Sequence, residues 1–242
     1  MSLDEKKETI RFTVDVVNKR VPVIAGTGGN CTSSSIELSK YAESVGVDSL
    51  LLVTPYYNKT TQEGLIAHFS AIARSVSLPI MIYNVPSRTG LNISPTTYFE
   101  LSKIENIVAT KEACGDISQI AHTASLCKDN LYIYSGNDDQ IVPILSLGGI
   151  GIISVLSNII PKDVCNIVRY FLDGNIKEAT QLQLDTLELT ASLFSEVNPM
   201  PIKAACNMIG FNAGIPRLPL LEMSNNGKEK LKKAMINYGI LN

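Results

Sequence analysis

A lysine and a tyrosine at the ends of two neighbouring apolar runs are the residues of this chain best suited to covalent chemistry. Tyr83 closes the run Ile80-Met81-Ile82-Tyr83, and Lys111 closes Asn106-Ile107-Val108-Ala109-Thr110-Lys111. The interval between them is about one strand-helix-strand unit, enough to lay two parallel strands side by side with both side chains at the same ends. An amine held among apolar walls gives up its proton more readily and can then attack a carbonyl. A phenol within reach can carry the protons that imine and carbon–carbon bond formation require. Arg88 follows in the turn Asn84-Val85-Pro86-Ser87-Arg88-Thr89-Gly90, where its planar fork suits a bidentate grip on a substrate carboxylate. Tyr56 and Tyr57 stand after Pro55 at another strand end, one expected to face the site and the other an interface. Gly136 lets the backbone approach a ligand closely, since it carries no side chain.

Positioning these groups requires a scaffold of strands whose ends converge. Six short apolar runs read as strands, at 21–25, 49–53, 79–83, 107–111, 131–135 and 151–155. Helical stretches alternate with them near 32–45, 61–76, 95–102, 116–127, 138–147 and 161–171. Apolar runs without alternation indicate burial on both faces, as in a parallel sheet covered by helices. A capping-box pattern, Ser2-Leu3-Asp4-Glu5, heads a further amphipathic helix to about Asn18. Beyond residue 174 the pattern is wholly helical, near 174–195, 199–209 and 227–238. The expected organisation is a (β/α) barrel body over 1–173 and C-terminal helices over 174–242 packed on it.

An open doubly wound sheet is the competing architecture. Its signature would be a phosphate-binding loop, and the turn Gly26-Thr27-Gly28-Gly29 has neither the spacing of a dinucleotide fingerprint nor the lysine of a Walker loop. Polar and aromatic residues gather instead at several strand ends: Thr54-Pro55-Tyr56-Tyr57-Asn58, Tyr83-Asn84, Lys111-Glu112 and Ser135-Gly136-Asn137-Asp138. In a parallel barrel those ends share the face where active sites form. A TIM (β/α)8-type barrel is therefore the reading, although only six of its eight strands are apparent.

The 242 residues are 45% hydrophobic and 18% charged, a composition able to bury a sizeable core. A net charge of -2 and the lack of long basic blocks argue against nucleic acid or an anionic membrane as partner. Five cysteines, an odd number with no C-x-x-C spacing, read as reduced thiols of a cytosolic protein. The polar start argues against a signal peptide, and no run reaches the length of a membrane span. A cytoplasmic location is expected.

The chain resembles the 4-hydroxy-tetrahydrodipicolinate synthase (dihydrodipicolinate synthase) family, which condenses pyruvate with aspartate semialdehyde in lysine and diaminopimelate biosynthesis. The resemblance runs over essentially the whole chain. It rests on Val23-Ile24-Ala25-Gly26-Thr27-Gly28, Thr54-Pro55-Tyr56-Tyr57-Asn58, Tyr83-Asn84-Val85-Pro86-Ser87-Arg88-Thr89-Gly90, Lys111-Glu112-Ala113 and Asn198-Pro199-Met200-Pro201-Ile202-Lys203. It implies that Lys111 is the Schiff-base lysine and Tyr83 the proton-relay phenol, with Tyr57 in a relay that crosses a dimer interface. Arg88 would hold the carboxylate of the second substrate, and Gly136 and Ile153 would line the pyruvate pocket through their backbones. No metal or organic cofactor is implied, and the expected assembly is a homo-oligomer, a dimer or dimer-based tetramer.

Two departures from the family qualify these expectations. The paired threonines of its Gly-Thr-Thr-Gly-Glu loop have no counterpart, and the first strand, first helix and second strand, roughly 50 residues of an eight-unit barrel, are not recognisable. Impaired catalysis and an open seam between strand edges are expected on that ground. The second departure is Ser34, where the resemblance calls for a glutamate beside Asn30 and Tyr56 in an allosteric lysine site. Without that carboxylate, feedback inhibition by lysine is not expected. Two other readings compete: a non-catalytic homologue acting only in assembly or binding, and a sialic acid lyase-like keto-acid aldolase.

Overall fold

Each of the six apolar runs becomes a strand in the computed structural model, which describes residues 1–242. The chain divides into two units, Met1–Gly136 with Leu147–Gly149, and Asn137–Ser146 with Ile150–Asn242.

The first unit runs α1 (Leu3–Val17), β1 (Ile24–Gly26), α2 (Thr32–Ser44), β2 (Ser49–Val53), α3 (Gln62–Ala73), β3 (Ile80–Asn84), α4 (Pro86–Thr89), α5 (Pro95–Leu101), β4 (Ile107–Glu112), α6 (Ile117–Cys127) and β5 (Tyr132–Ser135). Its strands pair in chain order, β1 to β5, and every pair is parallel. The order never reverses, so the sheet has no switch point of the doubly wound kind and follows barrel connectivity. Burial explains the apolar runs: Leu50, Leu52, Ile80 and Ile82 are fully buried, packed against Leu65, Phe69 and Ile72 of α3 in one core. Each such side chain contributes about 1.5–3 kcal/mol by leaving water.

Local chemistry sets the helix starts. The Ser2 hydroxyl accepts from the Glu5 N–H at 3.2 Å while the Glu5 carboxylate accepts from the Ser2 N–H at 2.7 Å, the reciprocal box expected. Thr61, Ser94 and Asp116 cap α3, α5 and α6 in the same way through one side-chain oxygen. The glycine-rich turn after β1 is a packing device. The N–H groups of Thr27 and Gly28 both donate to the Leu51 carbonyl, and a Cβ on Gly28 would lie 2.7 Å from the Leu52 Cα. Those donors are therefore spent on β2 and unavailable to a phosphate.

The second unit holds α7 (Ile141–Leu145), β6 (Gly151–Ile152), α8 (Pro161–Leu172), α9 (Ile176–Asp185), α10 (Leu187–Leu193), α11 (Met200–Met208) and α12 (Asn225–Tyr238). Its own core gathers Leu156, Ile167, Leu189, Leu193, Leu231 and Met235. The helix expected at 138–147 is a 3-10 turn followed by the short α7, which contains Pro143. The stretch expected as one helix at 174–195 breaks at Thr186, whose hydroxyl donates to the Gln183 carbonyl at 2.7 Å. No helix is long and apolar enough to cross a membrane.

Candidate active site

Tyr83 and Lys111 are ladder partners on β3 and β4. The register that pairs them is not the one the strand starts would give. Ile80 lies opposite Ile107 but Met81 opposite Ala109, so β4 carries Val108 as one extra residue, a bulge that advances the rest of the strand. Beyond it the pairs run Ile82–Thr110, Tyr83–Lys111 and Asn84–Glu112. The Lys111 amine lies over the Tyr83 ring, 4.1 Å from its centroid. Both side chains are half-buried, and burial pushes the Tyr83 phenol above its ordinary value while the Arg88 charge pulls it back.

Arg88 is carried by α4, a one-turn helix where a turn was expected. Pro86 begins it with a preset backbone, and Gly90, at φ +67°, ends it in the left-handed region. Thr89 fixes this helix to the end of β2: the Thr54 hydroxyl donates to the Thr89 hydroxyl at 3.1 Å, and the Thr89 hydroxyl reaches the Leu91 carbonyl at 3.0 Å. Arg88 itself is exposed, free to meet a ligand.

Gly136, directly after β5, closes against Lys111. Its N–H donates to the Glu112 carbonyl at 2.7 Å, and a Cβ there would stand 2.8 Å from the Ala113 Cβ and 3.2 Å from the Lys111 Cε. Only glycine fits, and its backbone thereby flanks the lysine stem.

Tyr56 and Tyr57 follow β2. The Asn58 N–H donates to the Tyr56 carbonyl at 2.9 Å with Tyr57 at φ +69°, a tight turn of the strained kind, rare for an aromatic residue. Tyr57 is 91% exposed and points into solvent, whereas Tyr56 is 43% exposed. The Asn58 side chain donates to the Asn30 carbonyl at 2.8 Å, which joins this loop to the turn before α2. Ser34 lies exposed in the first turn of that helix. Ile153 belongs to the second unit, one residue past β6, and is half-buried.

Sequence reasoning missed the residues that brace the pair from behind. Glu112, placed at a strand end by the sequence but given no role there, is the last residue of β4 and is only 1% exposed. Adjacent strand residues face opposite sides, so Glu112 turns away from Lys111 toward α5. There its carboxylate accepts from the Asn84 amide at 3.0 Å, the Tyr98 hydroxyl at 3.0 Å and the Cys114 N–H at 2.9 Å. Burial pushes Glu112 up, against the downward pull of these donors. A carboxylate next to an apolar run and beside the candidate lysine is the signal that marks it.

The geometry offers an amine, a phenol against it, a glycine backbone alongside and an exposed guanidinium one short helix away. The dihydrodipicolinate synthetase family matches residues 1–237 of this chain. The 4-hydroxy-tetrahydrodipicolinate synthase 1 of Clostridium acetobutylicum is 57% identical over 241 residues, covering 100% of this chain and 82% of that protein. A crystal structure of a dihydrodipicolinate synthase superposes with a TM-score of 0.97 at 46% identity, over 100% of this chain and 83% of that one. A chloride-inhibited dihydrodipicolinate synthase from Acinetobacter baumannii, complexed with pyruvate, matches at a TM-score of 0.96 and 40% identity, over 100% and 83%.

Proposed function

From the premise that this chain belongs to the dihydrodipicolinate synthetase family, we propose that it condenses pyruvate with L-aspartate 4-semialdehyde to give 4-hydroxy-tetrahydrodipicolinate. The observation that carries this reading is the Lys111 amine lying 4.1 Å above the Tyr83 ring. Lys111 adds to the ketone carbon of pyruvate, water leaves, and an iminium forms. Loss of a methyl proton gives the enamine, because the iminium nitrogen accepts the electron pair; this reading calls for no metal or organic cofactor. The enamine carbon attacks the aldehyde of the second substrate. The amino group of that substrate then adds to the iminium carbon and displaces Lys111 as the ring closes.

In this scheme Tyr83 moves the protons, and its upward-shifted phenol stays protonated at neutral pH, as a donor must. Arg88 holds the carboxylate of the semialdehyde, and the backbone of Gly136, closed against the Lys111 stem, lines the pyruvate pocket. Tyr57, exposed on a strained turn, belongs to a relay completed by another copy of the chain, which fits a homo-oligomer working in the cytoplasm on lysine and diaminopimelate synthesis. Lysine binding near Asn30 and Tyr56 is weak in this reading, since Ser34 supplies no carboxylate for its ammonium group.

Borohydride reduction of the pyruvate imine tests the proposal. Intact mass followed by peptide mapping should find a single pyruvyl adduct on Lys111, absent in Lys111→Arg. No adduct on protein that is folded by circular dichroism would overturn the synthase reading and favour a non-catalytic homologue.

A further inference from the structure

We propose that Glu112 is a positioning residue: together with Asn84 it clamps, from the helix-covered side of the sheet, the register that sets Lys111 against Tyr83. The inference rests on the synthase reading for its effect on turnover, but the clamp itself is a matter of geometry.

The β3–β4 register needs a fastening. It contains a bulge at Val108, and the residues around it (Ile107, Val108, Ala109, Thr110) are small or apolar and would tolerate another alignment. A slip of one residue sends every side chain to the opposite face, which would turn Lys111 into the helix layer. Asn84 and Glu112 are the ladder pair immediately beyond Tyr83 and Lys111, and their side chains bond to each other at 3.0 and 3.3 Å. Both ends of the clamp are themselves held. The Asn84 side-chain Oδ1 accepts from the Ile93 N–H at 3.2 Å, and its Nδ2 also donates to the Asn92 Oδ1 at 2.8 Å. The Tyr98 hydroxyl, bonded to Glu112, accepts from the Thr110 hydroxyl at 2.9 Å, which ties α5 to the same strand. Asn84 and Tyr98 are fully buried.

A leucine would fill this volume without the desolvation that a buried carboxylate suffers. It would also take the acceptor from one N–H of the Asn84 amide, from the Tyr98 hydroxyl and from the Cys114 N–H, and the side-chain hydrogen bond between the two strand ends would be lost. The backbone at this step fixes the front of the site as well. The Ala113 N–H donates to the Asn84 carbonyl at 2.9 Å, and the Glu112 carbonyl holds Gly136 against the lysine stem.

The test compares the wild type, Glu112→Gln, and the pair Asn84→Asp with Glu112→Gln. The single variant keeps shape but turns an amide NH2 toward groups that donate. The pair variant reverses the polarity of the clamp and restores one cross-strand hydrogen bond. In protein shown to be folded by circular dichroism, the rate of pyruvate–borohydride labelling of Lys111 should fall at least about tenfold in the single variant and recover to within about threefold in the pair. Wild-type labelling in the single variant, or no recovery in the pair, overturns the proposal. Amide hydrogen exchange separates this from failure of the synthase reading, because it asks only whether the strand ends stay fastened. If pyruvate labels nothing in the wild type, the Ala113 and Gly136 amides, which donate to the Asn84 and Glu112 backbone carbonyls, should still exchange at least about tenfold faster in the single variant and return toward the wild-type rate in the pair. Unchanged exchange at both amides overturns the clamp. Should Glu112→Gln fail to fold, Asn84→Ser, which removes the cross-strand bond and leaves Glu112 its other donors, carries the same expectations.

Discussion

Two opposed influences set the acidity of the Tyr83 phenol: burial raises it, and the positive charge of Arg88 lowers it. The sign of a substitution follows. Arg88→Met removes the charge that favours the phenolate and leaves the burial, so the titration of Tyr83 should move further upward. Difference absorbance at 295 nm between Arg88→Met and the same variant carrying Tyr83→Phe isolates this phenol from the other eight of the nine tyrosines. A midpoint unchanged from the wild type would mean that Arg88 swings clear of Tyr83 in solution. The pairing of Tyr83 with Lys111 was legible in the sequence because each closes an apolar run and parallel strands end on one side. The strain at Tyr57 was not, since nothing in Pro55-Tyr56-Tyr57-Asn58 declares that an aromatic residue will take a left-handed backbone. Nor was the role of Glu112, because a carboxylate after a lysine looks like a solvated turn until its donors arrive from Asn84 and Tyr98.

At the scale of elements, strand centres were legible and strand ends were not, and the reason is that distant side chains fix the ends. The last strand was expected over 151–155, but β6 stops at Ile152. The Asp138 carboxylate takes over beyond it, accepting from the Ser154 hydroxyl, the Val155 N–H at 3.0 Å and the Leu156 N–H at 3.2 Å. At the first strand, expected over 21–25, the Asp48 carboxylate takes the Val23 N–H at 2.7 Å, and β1 begins only at Ile24. Asp138 is 2% exposed, so its loss is costly. Asp138→Asn replaces one acceptor oxygen by a donor facing donors, an expected penalty of about 1–3 kcal/mol on local structure. Hydrogen exchange should report it where it occurs: the amides of Val155 and Leu156 should exchange about tenfold faster or more, while those of β3 and β4 keep wild-type rates. Unchanged exchange at Val155 would remove Asp138 from its role in ending the strand.

Across the whole molecule the five cysteines offer a test of the fold that is independent of catalysis. All five are free thiols, as their odd number and spacing led one to expect, but their surroundings differ widely. Cys31 is exposed just before α2, and hydrogen bonding to the Ser33 hydroxyl, then to Ser34, brings its thiol down to about 7. Cys114 lies in the turn after β4, where burial and the neighbouring Glu112 carboxylate push it up to about 12. Burial also raises Cys127, at the end of α6, and Cys206 on α11. Because the thiolate is the reactive form, these placements translate into an order of labelling. With iodoacetamide at pH 7 in the native protein, Cys31 should react first, with a rate that rises with pH to a midpoint near 7. Cys165 is exposed like Cys31 and should follow by its accessibility. Cys114 and the fully buried Cys127 should lag by about a hundredfold or more, since one is rarely ionised and the other rarely accessible. In urea the differences should collapse, because the hydroxyl partners, the carboxylate and the burial all disappear with the fold. Cys31 reacting no faster than Cys165 would place the turn before α2 in another conformation, and with it the Asn30–Asn58 bond that draws the Tyr57 loop to the edge of the site.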